Sequence, residues 1–189
     1  PPRHFQPDYF QGVLDTLLKA APLFDQQELG KSFEGRPIRR ISAGKGPINV
    51  LLWSQMHGDE PTATMAIADM LNYFNLLQQE EPVGILLSAL RLHFVPMLNP
   101  DGAARCQRRT AQEIDLNRDA LALRTPEARI LSTLRDAIKP AVGYNLHDQE
   151  LSTVNTTREI TAIGLLAPAY DPEKSVNDVR MRAKRITAV

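Results

Sequence analysis

Ile48-Asn49-Val50-Leu51-Leu52-Trp53-Ser54-Gln55-Met56-His57-Gly58-Asp59-Glu60-Pro61 decides how the chain is read. The apolar run from Ile48 to Ser54 follows the turn signal Gly44-Lys45-Gly46 and has the length of a buried strand. Pro61 to Leu77 reads as a helix, with Pro61 at the first turn, where its missing N–H costs nothing. His57-Gly58-Asp59-Glu60 therefore falls just past the carboxyl end of a central strand and just before a helix. Ligand sites of open α/β sheets gather at that place.

Outward from this segment, strands and helices alternate. Tyr9, Phe10, Val13, Leu14, Leu17 and Leu18 repeat at helical spacing within Pro7 to Leu23, and Pro22 closes that helix. Ser32 to Ile41 reads as a hairpin punctuated by Gly35. Arg91 to Leu98 is a second strand, which Asn99-Pro100-Asp101-Gly102 ends as a turn. Thr125 caps and Pro126 enters a helix that runs to Ile138. Ala141 to Leu146 is a strand and Ile160 to Ala167 another, and a last helix starts at Asp171 or Ser175 and runs to Val189. This order predicts an α/β fold, a sheet with helices packed on both faces. We expect a single, incomplete domain over 1–189, because the last helix reaches Val189 without a Gly or Asn cap and few strands follow the sheet's last helix.

The 189 residues (21.1 kDa) suit one domain, able to bury roughly 70 % of its unfolded surface without disulfide staples. Twenty-two basic side chains balance 22 acidic ones, which argues against a nucleic-acid partner. An ordinary apolar fraction of 43 % argues against disorder. The one cysteine, Cys106, excludes a cysteine-cluster metal site and an internal disulfide framework. No apolar run has the length of a spanning helix, so no membrane partner is expected. The single cysteine and the absence of a visible signal pattern favour a cytoplasmic location. A secreted or periplasmic one stays open, because the chain starts at Pro1 without an initiator Met. Oligomeric state has no marker in the sequence.

Three pieces carry chemistry. His57 and Glu60, three apart in a turn entering a helix, can aim an imidazole and a carboxylate at one point. Two His and one Glu with a water in the open position is a recognised catalytic zinc set. Taken alone, His-x-x-Glu is equally a surface turn whose Glu60 favours the helix dipole. His147 ends the strand Ala141 to Leu146 and reaches the same sheet edge if the two strands are neighbours. Otherwise it is a hydrogen-bonded polar residue at a strand end. Glu150 repeats the spacing but reads as solvated loop, and His4 and His93 read as structural. The segment from Asn99 to Asp119 holds Arg105, Arg108, Arg109 and Arg118. Their planar forks suit an anionic substrate end, or else form a solvated face paired with Glu113, Asp115 and Asp119.

Together, His-Gly-Asp-Glu at 57–60, Asn-Pro-Asp-Gly at 99–102, Ile-Asp-Leu-Asn-Arg-Asp at 114–119 and Asn-Leu-His-Asp-Gln at 145–149 resemble the zinc metallocarboxypeptidases, the carboxypeptidase A-like peptidases. The nearest likeness is to bacterial single-domain members. The resemblance implies a mixed, twisted eight-stranded sheet of which these residues supply about the first two-thirds, the C-terminal part missing. It implies one Zn²⁺ held by His57, Glu60 and His147. Asn117 and Arg118 would grip the free C-terminal carboxylate of a peptide substrate, and Arg108 would polarise the scissile carbonyl, with Arg105 and Arg109 as competitors for that role. The best-known digestive members have arginine where Asp59 stands. The family's general-base glutamate and mobile tyrosine would come after Val189, so the expected activity, metal-assisted hydrolysis of a C-terminal peptide bond, belongs to the complete protein and the 189-residue chain alone is expected to be inactive. Alternatives are an N-acyl-amino-acid deacylase related to aspartoacylase, a murein-peptide amidase, or a non-catalytic metal-binding fragment or pseudoenzyme.

Overall fold

A computed structural model describes residues 6–148, 163–167, 169 and 172–188. Two compact units divide the chain, Pro1–Asp148 and Gln149–Val189. In the first, α1 (Pro7–Lys19) leads into β1 (Asp25–Lys31), β2 (Pro37–Ala43) and β3 (Ile48–Ser54). After these come α2 (Thr62–Leu76), α3 (Glu81–Ala89), β4 (Leu90–Val95), α4 (Pro100–Arg105), a 3₁₀ turn (Leu116–Arg118), α5 (Pro126–Ile138) and β5 (Val142–Leu146). The second unit carries α6 (Asp178–Thr187), none of whose residues is buried. Among the described residues, no helix is long and apolar enough to cross a membrane.

The five strands form one mixed sheet in the order β1-β2-β4-β3-β5. β2 runs antiparallel to β1 and β4, whereas β3 lies parallel to both β4 and β5. Alternation along the central strands feeds two cores. Val50, Leu92, Phe94, Ile41 and Ala43 face one way, against Phe10 and Leu14 of α1, Ile67, Leu71 and Phe74 of α2, and Val83 and Leu87 of α3. Leu51, Val95 and Ile38 face the other way, against Ala128 and Leu134 of α5. Side chains of period two thus clothe the sheet on both sides, as expected for strands buried on both faces.

Several expectations need correction. The hairpin begins at Asp25, not Ser32. Gln27 and Glu28 hide its first strand because an edge strand with exposed side chains shows little apolar alternation. Ser32–Arg36 is instead the turn, with Gly35 at φ 85°. Asn99–Gly102 does not merely end a strand. β4 stops at Val95 and the motif opens a helix, Asn99 Oδ1 accepting the Gly102 N–H at 2.9 Å. α3, with Pro82 in its first turn, went unread because its stretch looks like a loop plus the strand that follows. The last helix starts at Asp178, behind the cap Asn177. Of the strand expected over Ile160–Ala167, residues 163–167 are not extended into a ladder, and the rest lies outside the described residues, as do His4 and Glu150.

His93 is structural, as its alternation in a strand suggested. It is 2 % exposed, its Nδ1 lies 2.9 Å from Ser42 Oγ and its Nε2 lies 3.0 Å from Asn49 Oδ1. The Asn49 amide N–H donates to Ile138 O, which leaves its oxygen as the acceptor facing the ring. A single ring proton on Nε2, with Ser42 donating to Nδ1, satisfies the set. Burial, then the positive charges of Arg40 and Arg91, push its pKa down to about 4 from 6.5. Below its ordinary pKa the unfolded chain takes up this proton while the folded chain refuses it. Stability therefore falls as pH drops from about 6.5 toward about 4. We expect urea midpoints at pH 7.5 and 4.5 to show wild type losing about 1–3 kcal/mol more over this interval than His93→Gln. Parallel losses would remove this role for the ring.

Candidate metal centre

The site begins where β3 ends. Gln55 leaves the strand at φ 50°, and the chain turns through Met56 to Gly58 beside the helix opened by Asn99. Leu98 and Asn99 donate their N–H groups to the carbonyls of Ser54 and Gln55, and Asn99 Nδ2 donates to Met56 O. A Cβ on Gly58 would lie 2.0 Å from the Gly102 carbonyl carbon and 2.3 Å from Ala103 N. No other residue fits between these two backbones. Asp101 braces the crossing from outside. It is fully buried and accepts from the Ser32 hydroxyl (2.7 Å), the Glu34 N–H (2.9 Å) and Arg36 (2.6 Å). The Asn-Pro-Asp-Gly motif is thus the support under the His57 turn.

On that support, His57 Nδ1 lies 2.8 Å from Glu60 Oε1, and His147 Nδ1 lies 2.7 Å from Glu60 Oε2. The two rings stand 4.8 Å apart between centroids, and ligand atoms of all three residues lie within 4.8 Å of one another. β5 pairs with β3, which is why two residues so distant in sequence meet at one edge. His57 is 1 % exposed, whereas His147 is open to solvent. The other nitrogen of His57, Nε2, lies 3.1 Å from Asp115 Oδ1. His57 Nδ1 and His147 Nδ1 thus meet the two oxygens of one carboxylate, contacts that a ring proton fills as a hydrogen bond. A divalent cation would take the place of those protons, drawing one lone pair from each ring and from Glu60 while Nε2–H of His57 stays on Asp115. Two imidazoles and a carboxylate, one imidazole backed by a second carboxylate, fit a zinc ion.

The electrostatics agree. Burial pushes the Glu60 carboxyl up, but the hydrogen bonds from His147 and His57 outweigh it and hold the group below its ordinary value. Asp115 is raised by burial and lowered further by His57 and the Asn117 N–H, ending below its ordinary value too. Both remain ionised at neutral pH. Arg108 lies against them, NH1 3.2 Å from Glu60 Oε1 and NH2 3.5 Å from Asp115 Oδ2. The competing arginines point elsewhere. Arg105 pairs with Glu34, and Arg109 donates to Glu113 O at 2.8 Å. Asn117 and Arg118 form the 3₁₀ turn that Asp115 caps. Asn117 Oδ1 accepts from Asn145 Nδ2 at 3.3 Å, and the exposed Arg118 donates to Asn117 O.

Two participants escaped sequence reading. Asp115 reads as a charge-pair partner of the arginines, whereas it orients the His57 ring. Its place two residues before the Asn117-Arg118 pair was the available signal. Asp148, directly after His147, accepts from the Thr62 hydroxyl (2.8 Å) and N–H (3.2 Å) at the start of α2. It caps a helix whose own cap position, Pro61, has no side-chain acceptor.

A sequence profile described as zinc carboxypeptidase matches residues 12–137, and the chain belongs to that family. His147 falls outside the matched span, so its place in the cluster rests on geometry. Carboxypeptidase SOL1 of Arabidopsis thaliana is 28 % identical over 157 residues, covering 74 % of this chain and 32 % of that protein. Carboxypeptidase 2 of Trichophyton rubrum is 27 % identical over 149 residues, covering 73 % and 27 %. The chain therefore spans about a third of the length of these curated relatives. Among solved structures, a metallo-carboxypeptidase from Burkholderia cenocepacia shares the fold with TM-score 0.68 at 22 % identity, covering 75 % of this chain and 40 % of that one. One from Pseudomonas aeruginosa, in complex with (2-guanidinoethylmercapto)succinic acid, gives TM-score 0.66 at 23 % identity, covering 75 % and 39 %. The mixed α/β fold is that of the carboxypeptidases.

Zinc titrated against a chromophoric chelator should bind wild type stoichiometrically and fail to bind His57→Ala or His147→Ala. Asp115→Ala should keep the site but weaken it about 10- to 100-fold. Wild-type affinity in Asp115→Ala would show that His57 needs no partner. Gly58→Ala should lose both metal and thermal stability, because the added methyl forces the two backbones apart. A variant that retains both would contradict the close approach.

Proposed function

We propose that this site is the metal centre of a zinc carboxypeptidase and that its substrates are peptides with a free C-terminal carboxylate. The observation that carries the reading is the convergence of His57, Glu60 and His147, with Arg108 beside them and Asn117-Arg118 on the adjoining turn. His57 Nδ1, Glu60 and His147 Nδ1 would hold the ion. A zinc ion so held lowers the pKa of a bound water and polarises a carbonyl oxygen.

Three further roles fall to this chain's own residues. Asp115 fixes the His57 tautomer and ring plane, so the ligand needs no reorganisation. Arg108, at the rim beside Glu60, presents N–H donors where negative charge develops on the scissile carbonyl oxygen, a contact that strengthens toward the transition state. The Asn117 amide and the Arg118 guanidinium face the far end of a substrate with donors only. They hold its terminal carboxylate and thereby orient the last peptide bond over the metal cluster.

This division of labour predicts a split between substrates. In the zinc-loaded chain, Arg118→Ala should raise the calorimetric Kd for free-ended peptides about 10- to 100-fold, the loss of a charge-assisted hydrogen bond worth about 1.5–3 kcal/mol. Kd for C-terminally amidated analogues should hardly change. Equal losses for both would overturn the grip. A parallel panel of N-acyl amino acids and murein peptides, bound more tightly than ordinary peptides, would overturn the substrate class while leaving the metal centre intact.

A further inference from the structure

Asn145 lies in β5, whose two-residue period turns it to the sheet face opposite Tyr144 and Leu146, which pack against the core beside α2; His147 follows one residue past the strand's end. Its Nδ2 donates to Asn117 Oδ1 at 3.3 Å. Every other hydrogen-bonding group of Asn117 but one is also committed. Its N–H donates to Asp115 Oδ1 at 2.9 Å, and its carbonyl accepts from Arg118. Among the described residues nothing takes the Asn117 Nδ2 hydrogens. An amide can turn either end outward, and the two ends have opposite meanings for a carboxylate: an N–H pair attracts it, a carbonyl oxygen repels it. The choice is made by what the inward end meets.

We propose that Asn145 is a positioning residue that sets this choice. By donating to Asn117 Oδ1, it commits the oxygen inward and turns both N–H donors outward, so that the Asn117-Arg118 turn reads a terminal carboxylate and rejects an amide. The contact itself fixes the assignment: Nδ2, the donor end of Asn145, lies toward Asn117, while its Oδ1 is buried without a hydrogen-bond partner among the described residues. β5 thereby carries the residue that orients the carboxylate reader, and His147 follows directly after its last residue.

The inference rests on Asn117 being part of the carboxylate grip, and the experiment separates the two. Blocked dipeptides with a free C-terminus are titrated calorimetrically into the zinc-loaded protein beside the same dipeptides as C-terminal amides, and the ratio of the two affinities is the readout. Asn145→Leu, similar in shape but without a donor, should lower the acid-over-amide preference about five- to tenfold at unchanged zinc content. Asn145→Asp, an acceptor only, should draw the Asn117 N–H inward and lower the preference further. Should the aspartate variant fail to fold, the leucine variant alone decides. An unchanged preference in Asn145→Leu overturns the proposal. So does an equal weakening of acid and amide binding, which would mark Asn145 as mere packing. Asn117→Ala is the control for the underlying reading. If it keeps the wild-type preference, Asn117 is not the grip; if it loses the preference while the Asn145 variants keep theirs, only the role of Asn145 fails.

Discussion

Two stretches of backbone meet at Gly58 and Gly102 with no room for a methyl group between them, and the chemistry of the molecule hangs from that crossing. The turn after β3 has no regular structure of its own to hold it. It is kept in place by the carbonyls of Ser54, Gln55 and Met56, which take donors from Leu98 and Asn99, and by the short helix that Asn99 opens. Asp101, buried beneath, ties that helix to the hairpin turn at Ser32–Arg36. A buried carboxylate left unpaired would be costly. Here two donors and an arginine satisfy it, so the same residue that would be a liability in an apolar core becomes a brace.

Around the metal cluster the contacts form a closed circuit. His57 touches Asp115, Asp115 caps the turn that carries Asn117, Asn117 accepts from Asn145, and Asn145 stands two residues before His147 along the chain. His147 then meets Glu60, which returns to His57. Each link is modest alone, and most are partly exposed. A ring of such links restricts each member through two neighbours, which is how a site keeps its geometry without deep burial. Arg108 adds a positive charge against Glu60 and Asp115 at the rim, offsetting two carboxylates placed close together.

Much of this was legible in the residues. The apolar run Ile48–Ser54 and the Pro at 61 bracket His57 and Glu60 at a strand-to-helix edge, and the strand ending in Leu146 points His147 at an edge as well. What no local pattern states is that β5 lies beside β3, the pairing that makes the two edges one. Elements set by tertiary contacts were the ones misread. β1 is an edge strand with little alternation, and Asn99–Gly102 has turn composition yet caps a helix because its amide finds Gly102 N–H. Asp115 carries the same lesson for the site. An aspartate among arginines reads as a surface ion pair, and only the position of His57 Nε2 reveals it as the holder of a ring.

The cap that Asp148 places on Thr62 joins the segment after β5 to the first turn of α2, one position beyond His147. A helix of 15 residues and the His147 ring therefore share one point of attachment. Whatever draws His147 inward also tightens the start of α2, and fraying of that first turn loosens the ring. The first turn of α2 and the His57–Glu60–His147 cluster are thus tied through a single residue step, and disorder at one is felt at the other.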